Sequence, residues 1–171
     1  GPRPVFKADP NAAIMIVGQA PGTAVHNSGI PFDDPSGDRL RHWLGVDHST
    51  FYDPTCFALV PMGFCYPGRG KGGDLPPRQE CAAAWRVPLT DQLQRISLTI
   101  LMGRHAINWY LPDRQKQSLS DTVKDWREIW PKYMPLPHPS PRNNRWLKNR
   151  PWLESDVIPA LRRRVGEILA Q

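Results

Sequence analysis

No stretch of this 171-residue sequence approaches the ~20 consecutive apolar residues that a membrane span requires, and the opening GPRPVFKADP has no h-region of a signal peptide. The chain is therefore expected to be soluble and intracellular. Cysteine is scarce. Cys56, Cys65 and Cys81 cannot all pair with one another, and their spacing is not a disulfide framework, so they read as free thiols or as part of a metal site. Repeats, low-complexity tracts and Gly/Ser-rich linkers are also missing, which leaves one domain over residues 1–171. At 22% charged residues and with 7 Trp, the composition is too apolar and aromatic for a disordered chain.

Acidic residues are missing from one place in particular. Between His138 and Arg150 the chain carries Arg142, Arg145, Lys148 and Arg150 with no Asp or Glu, in a stretch punctuated by Pro and Asn. The whole sequence has 22 Lys+Arg against 16 Asp+Glu, a net charge of +6. Such an excess suits a polyanionic partner, and its concentration in one loop says more than its sum.

Short β-rich apolar runs recur at Ala13–Val17, Cys56–Val60, Leu98–Met102 and, with a proline inside, Tyr133–Pro137. Continuous apolar runs of this kind suit strands covered on both faces. Helical patterns lie between them. Ser36 can cap a helix through Leu40, Trp43 and Leu44 that stops at Gly45, and Ser120 can cap another with Val123, Trp126 and Trp130 on one stripe before Pro131. A last helix from about Asp156 places Val157, Leu161, Val165 and Ile168 inward and Arg162, Arg163 and Arg164 largely outward, the latter as a solvated face. Strands alternating with helices predict an α/β fold, a three-layer α/β/α sandwich around a central four-stranded parallel sheet.

Ligands of such sheets sit beyond the carboxyl ends of the strands. Two of those ends carry unusual sequences, Gly18-Gln19-Ala20-Pro21-Gly22 after the first run and His138-Pro139-Ser140-Pro141-Arg142-Asn143 after the fourth, and the two loops are expected to face one crevice. The first lacks the Lys and Ser/Thr of a P-loop and the spacing of a dinucleotide fingerprint. In the second, Pro137, Pro139 and Pro141 frame His138, which gives its imidazole a fixed direction.

Together these segments resemble the uracil-DNA glycosylase superfamily. GQAPG with Gly29, Pro31-Phe32, Gly37 and Leu40 is similar to the first motif of family four, the iron–sulfur type, and HPSPRN resembles the second motif of the single-strand-selective monofunctional uracil glycosylases. The stretch MGFCYPGRGKGGDLPPR, Met62–Arg78, also fits, so the resemblance covers nearly the whole chain. It implies a single domain that flips uracil out of single- or double-stranded DNA and hydrolyses its N-glycosidic bond, leaving an abasic site, as a monomer in a bacterial-type cytoplasm with no membrane partner.

The chemistry accounts for such residues. Base release passes through an oxocarbenium-like sugar while negative charge grows on the departing uracil, so a preorganised donor at the base oxygen is the most valuable group. His138 is the candidate donor, and the resemblance makes Phe32 the aromatic floor of a base pocket that includes Gly18, Ala20 and Pro21. It makes Arg142 a wedge that fills the gap left by the extruded base. Ser140, Asn143, Arg145 and Lys148, with Arg69 and Lys71 of a second basic loop, can hold phosphates. No Lys stands in either motif to form a Schiff base, which disfavours a lyase step.

Departures from the family pattern are equally specific. Positions that carry Asp, Asn or Glu elsewhere in the superfamily are Gln19 and Ala20 here, so no carboxylate of the first motif can activate water. Gln19 could position the water instead, or Asp33 or Asp34 could supply the missing charge; helix N-terminal electrostatics is the other reading of either Asp. His26 stands where family four has an acid. The uracil-reading Asn after the second strand is absent from Leu59-Val60-Pro61-Met62. Cys65 and Cys81 resemble the two internal cluster ligands of family four, whose other two come from an upstream pair that this sequence lacks. Either a longer natural chain, which the start without Met allows, carries that pair and a structural [4Fe-4S] cluster, or no cluster is held. The chemistry itself needs no cofactor. The absent carboxylate also motivates an alternative, a catalytically weak module of the same fold that binds deaminated bases in DNA.

Overall fold

In the computed structural model, which describes residues 2–171, the apolar runs become strands β1 (Ile14–Val17) and β2 (Phe57–Leu59) and, after a hairpin of β3 (Arg69–Gly70) and β4 (Gly73–Asp74), β5 (Leu98–Met102) and β6 (Tyr133–Leu136). The central sheet is parallel and four-stranded, in the order β2-β1-β5-β6. Pro135 lies in the edge strand β6, where its missing N–H can face away from the ladder. The other edge is covered by the N-terminal segment, whose Lys7 exchanges backbone hydrogen bonds with Leu59.

Both faces of the sheet are buried, which explains why the strands are apolar without alternation. On one face, Ile14, Ile16, Phe57, Leu59, Leu98, Ile100, Met134 and Leu136 share a core with helical side chains. Those come from α2 (Pro35–Leu44), α3 (His48–Phe51), α7 (Leu119–Lys124) and α9 (Ile158–Leu169). On the other, Met15, Val17, Ala58 and Leu101 pack with Ala82, Ala106 and Ile107. This face is covered by a helical run of α4 (Gln79–Cys81), a π-turn (Ala82–Arg86) and α5 (Val87–Thr90), and by α6 (Arg104–Tyr110). The short helices α1 (Thr23–Ser28) and α8 (Asn144–Lys148) follow the two unusual loops. The expected three-layer α/β/α sandwich is thus the observed one.

Helix boundaries differ in instructive ways. Asp34 caps α2, its Oδ1 accepting from the Gly37 N–H at 2.9 Å, and Ser36 is buried in the first turn. Pro35 decides this, because it is suited to the first helical position and drives the residue before it into the extended conformation that a cap requires. The C-terminal stop at Gly45 is as expected, with φ +69 in the left-handed region. Ser118 rather than Ser120 caps α7, which ends at Lys124, where the Asp125 carboxylate accepts from the Gln117 amide at 2.8 Å. Trp126 then lies in a short 3-10 turn and meets Trp130 edge to face, so the apolar stripe is packed but not on one helix. The last helix is preceded by a π-turn, Leu153–Val157, because Pro159 lacks the N–H that would close an α-turn there. Its inward positions Val157, Leu161, Val165 and Ile168 are all buried. Cys56 is half-buried just ahead of β2, and desolvation, followed by the nearby Asp53 charge, raises its thiol pKa. Among the described residues no helix is long and apolar enough to cross a membrane.

Candidate active site

The carboxyl ends of β1, β2 and β6 and the turn after β5 open on one cleft of about 540 Å³, within the ~300–1,000 Å³ usual for small-molecule sites. Both unusual loops line it, Gly18 to Gly22 on one side and His138, Ser140, Arg142 and Asn143 on the other. The expectation of a shared crevice is met.

His138 is the most completely specified side chain there. Its Nδ1 accepts the Ser140 backbone N–H at 3.2 Å, so in the neutral ring the proton resides on Nε2, which is left free to donate into the cleft. Burial lowers the imidazole pKa below its usual 6.5 and the nearby Asp34 charge partly offsets this, so the ring is neutral at physiological pH. The loop around it is tied internally. Asn143 Nδ2 donates to the His138 carbonyl at 2.8 Å, and Ser140 Oγ accepts the Arg142 N–H at 3.2 Å. Arg39, on α2, reaches across to the carbonyls of Pro139 and Ser140 at 3.4 and 3.3 Å and to Asn144 Oδ1 at 2.6 Å. Asn143 therefore spends its amide on the loop, whereas the Ser140 hydroxyl keeps its own proton to donate.

Phe32 has φ +60, a left-handed conformation that costs a non-glycine residue ~1–3 kcal/mol and needs support from its surroundings. That support is visible. Tyr52 donates its hydroxyl to the Pro31 carbonyl at 2.6 Å, Arg41 reaches the Phe32 carbonyl at 3.4 Å, and the Phe32 ring meets Phe51 edge to face at 6.0 Å. Two glycines make room for it. A Cβ on Gly37 would fall 1.8 Å from the Phe32 carbonyl oxygen, and one on Gly18 would stand 3.4 Å from the ring tip. The two motif glycines thus serve an aromatic ring set into the cleft wall.

Gln19 lies in the cleft wall with its amide nitrogen against Gly103, only 2.8 Å from where a Cβ would be at that residue. Asp34 caps α2 and also lines the cleft, so its capping role does not take it out of the site. Ala20 and Pro21 are in the lining, and the Ala20 side chain packs against the Gly63 backbone. His26 is not part of the lining; it lies on α1 with its ring 5.5 Å from Tyr66. Asp33 is exposed beside the cleft, and Arg69, Lys71, Arg145 and Lys148 are exposed on the hairpin and α8 rather than in the pocket. The Arg142 guanidinium spans the cleft mouth and rests on Gly73, 2.4 Å from the position of an absent Cβ.

Several contributors to the cleft and its support carry little signal in the sequence. His105, after the glycine turn that follows β5, lines the cleft, and its pKa is lowered by desolvation. Asp74, exposed on the hairpin, lines the cleft as well; its carboxylate accepts from the Tyr66 hydroxyl at 3.3 Å, with one oxygen 3.6 Å from where Gly22 would carry a Cβ. Arg86 is 1% exposed and has no carboxylate partner among the described residues; it donates to the carbonyls of Val60 and Pro61 at 2.6 and 3.3 Å and to Met62 Sδ at 3.3 Å. It fixes the turn after β2, which brings Pro61 to the cleft. The only cue in the sequence was a lone cation within the apolar run AAAWRV.

Cys65 and Cys81 are free and half-buried, and no group of three or more His, Cys, Asp or Glu able to hold a metal ion occurs among the described residues. Two thiolates fall short of the four that an iron–sulfur cluster requires. The residues present do not fit a cluster.

Residues 6–162 match the family model described as the uracil DNA glycosylase superfamily. Among solved structures, the chain is similar to the solution NMR structure of a presumptive uracil DNA glycosylase from Methanosarcina acetivorans. The two are 18% identical with a TM-score of 0.55 over 94% of this chain and 97% of that one, a likeness of fold.

Proposed function

This chain belongs to the uracil DNA glycosylase superfamily, and from that membership we propose that it is a monofunctional glycosylase that extrudes uracil from DNA and hydrolyses the N-glycosidic bond, leaving an abasic site. The observation that carries this reading is the neutral His138, whose Nδ1 is occupied by the Ser140 N–H and whose Nε2–H is therefore free to donate into the cleft.

As the bond between the sugar C1′ and uracil N1 breaks, its electron pair passes to the base and negative charge grows on the uracil oxygen. A donor already held in place, in a half-buried site, stabilises that charge without reorganising. Phe32 gives the flipped base a surface to stack on. Asp34 places a negative charge in the same cleft, suited to the oxocarbenium sugar, and it or Gln19 can hold the water that attacks C1′. The new bond joins the water oxygen to C1′; the water proton is lost to the carboxylate or to solvent, and the uracil anion regains a proton. Arg142 at the mouth fills the space vacated in the duplex, while Ser140, Arg145, Lys148, Arg69 and Lys71 meet phosphates.

A labelled oligonucleotide with one uracil, incubated with the protein and then treated with alkali, tests the reading. Cleavage at the uracil is expected. Binding to uracil-containing DNA without cleavage would overturn it in favour of a damage-binding module.

A further inference from the structure

The β3–β4 hairpin carries an apolar side chain at a place where the proposed function gives it no role. Leu75, directly after β4, is 47% exposed and lines the mouth of the cleft. It is not loose. Its backbone N–H donates to the Gly68 carbonyl at 2.8 Å, and its side chain lies across two bare glycines, with Cδ1 3.7 Å and Cδ2 3.0 Å from where Gly68 and Gly70 would carry a Cβ. The glycines make a shelf that braces the leucine from behind while its other face stays open to the cleft.

Its surroundings indicate what it meets. Gly73, two residues earlier, receives the Arg142 guanidinium, so the tip of the hairpin and the HPSPRN loop touch across the cleft mouth. Arg69 and Lys71 are exposed on the same hairpin, as is Asp74, whose carboxylate accepts from the Tyr66 hydroxyl. A braced, exposed leucine among cations, facing a cleft mouth, matches the apolar side chains that proteins insert between base steps, where the cost of unstacking is met by wider contact with the bent duplex. A leucine serving only the domain core would be covered, and one serving only the hairpin would not line the cleft.

We propose that Leu75 is a second wedge, which enters the base stack from the hairpin side as Arg142 enters from the opposite loop, so that the pair part the duplex around the uracil. This rests on the glycosylase reading above. Leu75 acts on the DNA and not on the reacting atoms, so its loss should be felt where a base must be pulled from a stack and not where the base is already free.

The test is single-turnover excision of uracil from duplex and from single-stranded oligonucleotides, with 2-aminopurine placed beside the uracil as a reporter of unstacking. Leu75→Ala is expected to lower the duplex rate about tenfold, to leave the single-strand rate within about twofold, and to abolish the fluorescence rise on binding duplex. Leu75→Met restores an apolar probe and is expected to recover most of the duplex rate. Gly70→Ala pushes on Leu75 Cδ2 without removing it and is expected to reproduce the duplex defect. Equal losses on both substrates, an unchanged ratio, or an unchanged fluorescence rise would overturn the wedge while wild-type excision still stands. Absence of excision by the wild-type protein on both substrates would instead remove the glycosylase reading, and the wedge with it.

Discussion

Replacing His138 by Ala isolates the group on which the mechanism depends. The Nδ1 side of the ring is already engaged with the Ser140 N–H at 3.2 Å, so the deletion removes one free donor, Nε2–H, together with that loop contact. A preorganised donor aimed at developing charge is worth ~3–4 kcal/mol, or about 10²–10³ in rate, and the loop contact is worth ~1 kcal/mol more in stability. Single-turnover excision under saturating enzyme should therefore fall at least about 100-fold, with DNA binding changed little, whereas Gln19→Ala should lose far less. The pH profile gives a second check. Protonation at Nδ1 would set a donor against the Ser140 N–H, and burial already lowers the His138 pKa, so activity should stay level below pH 6.5 and fall only at the lowered value. The sign for stability is the same. The unfolded chain binds this proton more tightly than the folded one, so stability is gained as pH rises from the lowered folded value to the ordinary 6.5. His105, whose pKa is also lowered, contributes in the same direction, and a variant lacking it separates the two. Equal rate losses for His138→Ala and Gln19→Ala, or an acid limb above pH 6.5, would refute the reasoning.

Other expectations follow from single contacts. Gly37→Ala sets a Cβ 1.8 Å from the Phe32 carbonyl oxygen, which the turn cannot absorb without moving the ring. A loss of ~1–3 kcal/mol in urea unfolding and at least about a tenfold fall in excision should accompany it. Arg142→Ala should impair duplex substrate more than single-stranded substrate, measured as the ratio of the two rates; an unchanged ratio would place the wedge elsewhere. Arg86→Met keeps much of the volume but orphans the carbonyls of Val60 and Pro61, and chemical denaturation should show a cost of ~2–5 kcal/mol, against about 1 kcal/mol or less if the buried cation were dispensable.

The strands and the two loops were legible because their signals are local. Continuous apolar runs such as AIMIV and LTILM have few alternatives to a doubly covered strand, and glycine and proline clusters at strand ends mark loops whatever surrounds them. Helix caps were less legible where two acceptors competed: Asp34 caps α2 because Pro35 sets its start, and Ser118 caps α7 while the Ser120 hydroxyl accepts from distant Arg150. His26 could be singled out by its position in a motif, yet it lies beside Tyr66 and outside the cleft lining, since the chain had already turned into α1.

By itself, the sequence determined a doubly covered parallel sheet, the order of its strands along the chain, and two glycine- and proline-rich loops bound for one end of it. It also determined that His138 would be rigidly framed, because prolines restrict the backbone without reference to anything distant. Only the tertiary structure decided the tautomer of that histidine, through a backbone N–H two residues away, and the support for Phe32 in its left-handed conformation, through Tyr52, Arg41 and Gly37. It alone brought the hairpin to the cleft mouth, with Gly73 under Arg142 and Leu75 on its glycine shelf. The hairpin and Tyr52 contacts join residues far apart in the chain, and the Ser140 contact depends on the exact course of its loop; no periodicity or local propensity encodes either.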